Sequence, residues 1–173
     1  MKSKRENIAE YILYLWQLED YLRAFPEHAN DSAELDEILR MMHEEGVMQG
    51  GHIQLAQIAL GEMEDLHDEL LATEAPYRAV IQHLEPSLNI LKAKTDRPEM
   101  SDVEACLTLL YQVMMLRLQK KPLSEATEVT LKDATQLLRF LSKTYYDGLS
   151  SKNNRSSSGC FSYGRLLVLS SCP

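Results

Sequence analysis

The clearest structural signal in this chain is the stretch from Ser101 to Leu118, which reads SDVEACLTLLYQVMMLRL. Its first four residues form a capping box, in which the Ser101 side chain accepts from the backbone of Glu104 and the Glu104 side chain reaches back. Apolar residues then recur at helical spacing, namely Val103, Leu107, Leu110, Tyr111, Met114 and Leu118. This pattern predicts an α-helix that buries one face.

The same spacing continues outward through nearly every segment before Gly148. We predict up to six helices and no strand, so the expected fold class is all-α: a five- to six-helix bundle with short connections. The predicted helices cover roughly residues 6–24, 31–46, 52–72, 76–94, 101–118 and 124–148. Because the first is apolar most of the way round, we expect it to be central.

The composition changes abruptly after Gly148. Residues 150–159 read SSKNNRSSSG, and no Asp or Glu follows Asp147. A polar, low-complexity segment of this kind cannot bury enough apolar surface to offset the entropy of ordering it. The sequence therefore predicts one helical-bundle domain over residues 1–147 and a disordered or non-native tail over residues 148–173.

The charge balance and hydropathy exclude two classes of partner. The chain has 18 Lys and Arg against 26 Asp and Glu, a net charge of -8. An acidic surface repels phosphate backbones, so we expect no nucleic-acid binding through a broad basic face. No apolar stretch approaches the ~20 residues that a membrane span needs, so we expect no membrane insertion.

Cysteine usage and the N-terminal residues indicate the compartment. Cys106, Cys160 and Cys172 are too few and too scattered for a disulfide framework. The first residues include several cations, but Glu6 and Glu10 place acids where a signal peptide is apolar, and no signal cleavage site is recognisable. We therefore expect a cytoplasmic protein.

Three ionisable residues lie in the middle of apolar helix faces: Glu19, His67 and Arg117. At about 100° per residue, each projects between hydrophobic neighbours of its own helix. A lone buried charge is costly, so we expect Glu19 to pair with Arg117, His67 or both. The sequence predicts that the three side chains form one core polar cluster.

This predicted cluster has two interpretations. It can be an internal ion network that fixes how the helices pack, or a ligand-binding pocket with an acid and a base. We favour the first, because structural networks perturb ionisable groups as readily as catalytic ones do.

A metal site is a further hypothesis. Glu64 and His67 have the Glu-x-x-His spacing with which dimetal helix bundles present two ligands. Such sites use two of these motifs, whereas this chain has one, so a mononuclear site would need Glu19 as well. A pair of common residue types arises often by chance, and we predict no cofactor.

Three segments, residues 6–20, 63–71 and 106–118, together resemble an uncharacterised bacterial family. Members of that family have about this length and are known only as a domain of unknown function. The resemblance covers residues 4–146 and implies a small, cytoplasmic, all-helical domain of bacterial origin. It implies no activity, cofactor or catalytic residue, and the tail departs from it.

Two functions remain open from the sequence. The leading hypothesis is a non-enzymatic helical interaction or oligomerisation module, a homodimer or a binder of another protein, because no catalytic motif is present and the helices carry ample apolar surface. The alternative is a bundle that binds a small ligand or a metal through Glu19, His67 and Arg117, and that could act as an enzyme.

Overall fold

The computed structural model describes Lys4, residues 6–30, 32–95, Arg97 and residues 99–155. Within these ranges the chain forms six α-helices and one 3-10 turn, Pro26–Asn30, with no strand. The helices are α1 (Ile8–Ala24), α2 (Ser32–Glu45), α3 (Gly51–Thr73), α4 (Ala75–Ala93), α5 (Asp102–Leu118) and α6 (Glu125–Arg155). The predicted all-α bundle is confirmed.

Local sequence signals set several helix ends. The Ser101 side chain accepts a hydrogen bond from the Glu104 backbone N–H at 3.1 Å, as the capping box predicts. Gly46 follows α2 with a φ of +67°, a conformation that suits glycine and stops the helix. Residues 46–50 are not helical, so α2 and α3 are separate helices.

The predicted helix end at Gly148 is wrong. α6 continues through this residue to Arg155. Gly148 is exposed and lacks the positive φ of a terminating glycine, and a glycine inside an exposed helix costs only about 1 kcal/mol. Residues 156–173 of the predicted tail lie outside the described residues.

The central helix is α3, whereas the sequence predicted α1. Among the described elements α3 packs against all five other helices, while α1 packs against α3, α5 and α6. The interface between α1 and α3 is the most extensive. Ala56 and Ala59 are buried there and allow close approach, and Leu55 and Met63 fill the surrounding core.

The segment before α1 is anchored by a buried lysine. Lys4 is only 7% exposed, and its ammonium contacts the carboxylates of Glu45 at 2.7 Å and Glu62 at 3.0 Å. Tyr145 of α6 donates to the same Glu62 carboxylate at 2.5 Å. This cluster joins the N-terminal segment to α2, α3 and α6.

α5 and α6 form the second most extensive helix pair. Residues 119–124 connect them, so the end of α5 lies beside the start of α6. None of the described helices combines the length and the apolarity needed to cross a membrane.

Candidate functional site

His67 lies in a closed polar network between α3, α4 and α5. Its side chain is buried, and its Nδ1 lies 2.6 Å from the Tyr77 hydroxyl oxygen. Its Nε2 faces the Asp102 carboxylate at 3.7 Å, and Lys92 contacts the other oxygen of that carboxylate at 2.5 Å. Every polar group of His67 therefore faces a protein partner.

Charge pairing and burial shift the pKa values of this network. His67 and Lys92 hold the pKa of Asp102 down at about 2, against the opposing effect of burial. Burial raises the pKa of the Tyr77 hydroxyl, which therefore stays protonated and shares a hydrogen bond with Nδ1 of His67. The same burial raises the pKa of the Cys106 thiol to about 12, which makes this cysteine inert.

Glu19 does not join this network. Its carboxylate pairs with Arg23, one turn along α1, at 2.5 Å, and 31% of its side chain is exposed. It lies at the mouth of a cleft of about 430 Å³ between α1, α3 and α5, whose walls include Trp16 and Tyr111. Arg97 and Glu104, also in this cleft, pair with each other at 2.8 Å.

Arg117 lies at the opposite end of α5 from the His67 network. Fifteen residues separate it from Asp102, which corresponds to ~22 Å along the helix axis. Its side chain is exposed. The predicted cluster of Glu19, His67 and Arg117 is therefore not formed, because a helical projection gives the direction of a side chain but not its height along the bundle.

The proposed metal ligands also have separate partners. Glu64 accepts a hydrogen bond from Ser101, while His67 contacts Tyr77 and Glu19 pairs with Arg23. In the part of the chain that the structure describes, no group of three or more His, Cys, Asp or Glu side chains could hold a metal ion.

Replacing Glu19 with Gln should lower the free energy of unfolding by no more than about 0.5 kcal/mol, because it removes only a partly exposed pair one turn apart. Urea denaturation of the two proteins measures the difference. A loss above ~2 kcal/mol would mean that Glu19 belongs to a buried ion network after all.

A groove of about 840 Å³ lies between α5 and α6. Its floor is apolar and consists of Leu110, Val113, Met114, Leu118 and Leu131. Its rim is polar and consists of Arg117, Glu128, Lys132, Thr135, Gln136 and Arg139. Leu118 is 70% exposed, so a large apolar side chain at the end of the groove faces solvent.

The rim of this groove is basic although the chain is acidic. Arg117, Lys132 and Arg139 form no ion pair with any described residue. Residues 105–146 contain six Lys or Arg and three Asp or Glu, whereas residues 1–104 contain nine and 22. The groove therefore presents three cations and one acid, and no described carboxylate forms an ion pair with those cations.

The sequence singled out Arg117 but did not reveal the groove. A signal was present in the reversal of charge after residue 104 and in the seven-residue spacing of Lys132 and Arg139, which places both on one helix face. The apolar floor gave no signal, because Leu110 and Met114 have the spacing of ordinary core residues.

A comparison with protein-family models matched one family, described as a domain of unknown function (DUF4924), over residues 1–34 and 26–151. No curated protein and no solved structure showed significant similarity to the chain.

Proposed function

For this chain, which belongs to the DUF4924 family of unknown function, we propose the role of a cytoplasmic, non-enzymatic interaction module. Its docking surface is the groove between α5 and α6, and its partner is a protein segment that carries negative charge. The observation that carries this proposal is the set of unpaired cations around an apolar floor.

The groove has the composition of a protein-binding surface. Apolar side chains provide the area that association buries, and Leu118, which lines the end of the groove, is exposed. Arginines and a lysine at the rim suit specific recognition, because charge complementarity orients a partner and raises the rate of encounter.

The rim arginines differ from three other exposed arginines of the chain. Arg23, Arg40 and Arg97 each have a carboxylate partner within 3 Å. The rim cations have none among the described residues, although acidic side chains outnumber basic ones in the chain. Negative charge from another molecule is the interaction that they lack.

The alternative function, binding of a small ligand, is supported by the cleft of about 430 Å³ that contains Glu19. This cleft fits a ligand less well, because its charged groups already pair within the protein: Glu19 with Arg23, and Glu104 with Arg97. A ligand would have to replace those pairs. The His67 network does not favour catalysis either, because the side chain of His67 is surrounded by Tyr77, Lys92 and Asp102.

Comparative capture tests the proposed docking surface. We expect the full-length protein, cross-linked in cells of its own source, to retain specific partners that the double variant Leu118→Asp, Arg139→Glu loses. Quantitative mass spectrometry of the two captures, with the cross-linked peptides sequenced, measures this difference and locates the contact.

The matched control is Ile90→Asp on α4 with Lys94→Glu directly after α4, which places similar chemical changes on two exposed side chains away from the groove. Both variants should fold, because surface substitutions usually change stability by less than ~0.5 kcal/mol. If both variants keep the same partners as the unmodified protein, the groove is not the docking surface.

A further inference from the structure

The dimensions of the α5 and α6 groove fit one helix. The α6 side of its rim runs from Glu128 to Arg139, which corresponds to ~16 Å or about three helical turns. The floor presents side chains from two neighbouring helices, and a third helix can lay its apolar stripe between them. Recognition of an amphipathic helix by such a groove depends on apolar anchors at positions i, i+4 and i+7.

We propose that the groove accepts one amphipathic helix of a partner protein, with carboxylates on both edges of its apolar stripe. This inference rests on the proposed interaction function and specifies the partner. Charge complementarity favours this occupant, since cations lie on both helices that flank the apolar floor: Arg117 on α5, and Lys132 and Arg139 on α6.

The rim also specifies where the partner carries its charges. Lys132 and Arg139 lie seven residues apart, or ~10 Å along α6, so acids two turns apart on the partner face both cations. Arg117 requires an acid on the opposite edge. Glu128 is the one acid of the rim, and the partner position beside it should be neutral or basic.

A helix fits this arrangement better than an anionic lipid does. A fatty-acid carboxylate or a phospholipid headgroup concentrates its charge at one end of an apolar chain. The rim cations are instead distributed along the groove and across it: Lys132 and Arg139 lie ~10 Å apart along α6, and Arg117 lies on α5. This distribution suits a partner that carries several separated negative charges.

Fluorescence anisotropy with the full-length protein and designed peptides tests this proposal. The acidic peptide is a labelled, Ala-rich helix of about 18 residues with leucines at i, i+4 and i+7 and glutamates on both edges. One control peptide has glutamine in place of each glutamate, and another has lysine. We expect affinity to fall from the acidic to the neutral to the basic peptide, and the acidic peptide to bind more weakly as salt is added.

Variants of the protein locate the contact. The double charge reversal Arg117→Glu, Arg139→Glu should weaken binding of the acidic peptide about tenfold, since it replaces two attractions with two repulsions. The matched control, Lys94→Glu, should leave the affinity unchanged, and thermal unfolding confirms that each variant is folded.

Trp16, the only tryptophan, lines the Glu19 cleft, so its emission should stay constant when the peptide occupies the groove.

The outcomes separate this inference from the proposed function. If the neutral peptide binds as tightly as the acidic one and Leu118→Asp abolishes binding of both, the groove is a docking surface but the acidic partner is wrong. Binding to phosphatidylglycerol vesicles in preference to the acidic peptide also overturns the inference. A concentration-dependent dimer that Arg139→Glu dissociates overturns it too, because the occupant is then a second copy of this chain. If no peptide binds and cellular partners survive the groove variant, both fail.

Discussion

Replacing Lys4 with Ala should lower the free energy of unfolding by about 2–4 kcal/mol. The change leaves the Glu45 and Glu62 carboxylates, which share this one ammonium at 2.7 and 3.0 Å, facing each other without a cation. Both carboxylates retain partial access to water, which moderates the loss. Urea denaturation at neutral pH measures it.

Two comparisons isolate the cause of this loss. Lys143→Ala removes an exposed lysine that has no ion pair with a described residue, and it should change stability by less than ~0.5 kcal/mol. Adding Glu62→Gln to the Lys4 variant removes the charge repulsion between these two carboxylates and should restore part of the stability. Equal stability of the Lys4→Ala protein and the unmodified protein would show that Lys4 is not buried in solution.

Replacing Asp102 with Asn should lower the stability of the folded protein at neutral pH and make that stability less sensitive to acid. His67 and Lys92 hold the pKa of this carboxyl at about 2, below its usual 3.8. Because the pKa is lower in the folded state, the carboxylate contributes stability above pH 3.8 and loses it as the pH falls through about 2. The substitution should cost about 1–3 kcal/mol at pH 7, since it leaves Lys92 without its anion.

Denaturation curves between pH 7 and pH 2 measure this effect. The stability of the unmodified protein should fall more steeply below pH 3.8 than that of the Asn variant. Asp65→Asn provides the control, because Asp65 is on the same bundle, exposed, and without an ion pair to a described residue. If the two Asn variants behave alike, the contacts of Asp102 do not stabilise the fold.

Local signals predicted most of the fold. The capping residue Ser101 and the terminating Gly46 act on the backbone within a few positions, so both could be identified from their neighbours alone. Gly148 could not, since a glycine ends a helix only when the following chain leaves it, and here the helix continues. The central position of α3 depends on which helices meet, and no single segment contains that information.

The candidate site was harder to predict because its contacts are distant in sequence. His67 faces an apolar core, as projected, but its partners Tyr77 and Asp102 are determined by the packing of three helices. Lys4 precedes the first helix and had no periodic pattern to mark it as buried. The α5 and α6 groove exists because no described helix covers that side of α5, and the spacing of Leu110 and Met114 cannot reveal this.

The most direct test of the central claim is amide chemical-shift mapping of the full-length protein during titration with the acidic helical peptide. We expect the largest shifts on the two sides of the groove, at residues 110–118 and 128–139, and expect the Arg117→Glu, Arg139→Glu variant to need about tenfold more peptide for the same shifts. Shifts confined to the surroundings of Glu19 and Trp16 would contradict this assignment and identify the cleft between α1, α3 and α5 as the binding site.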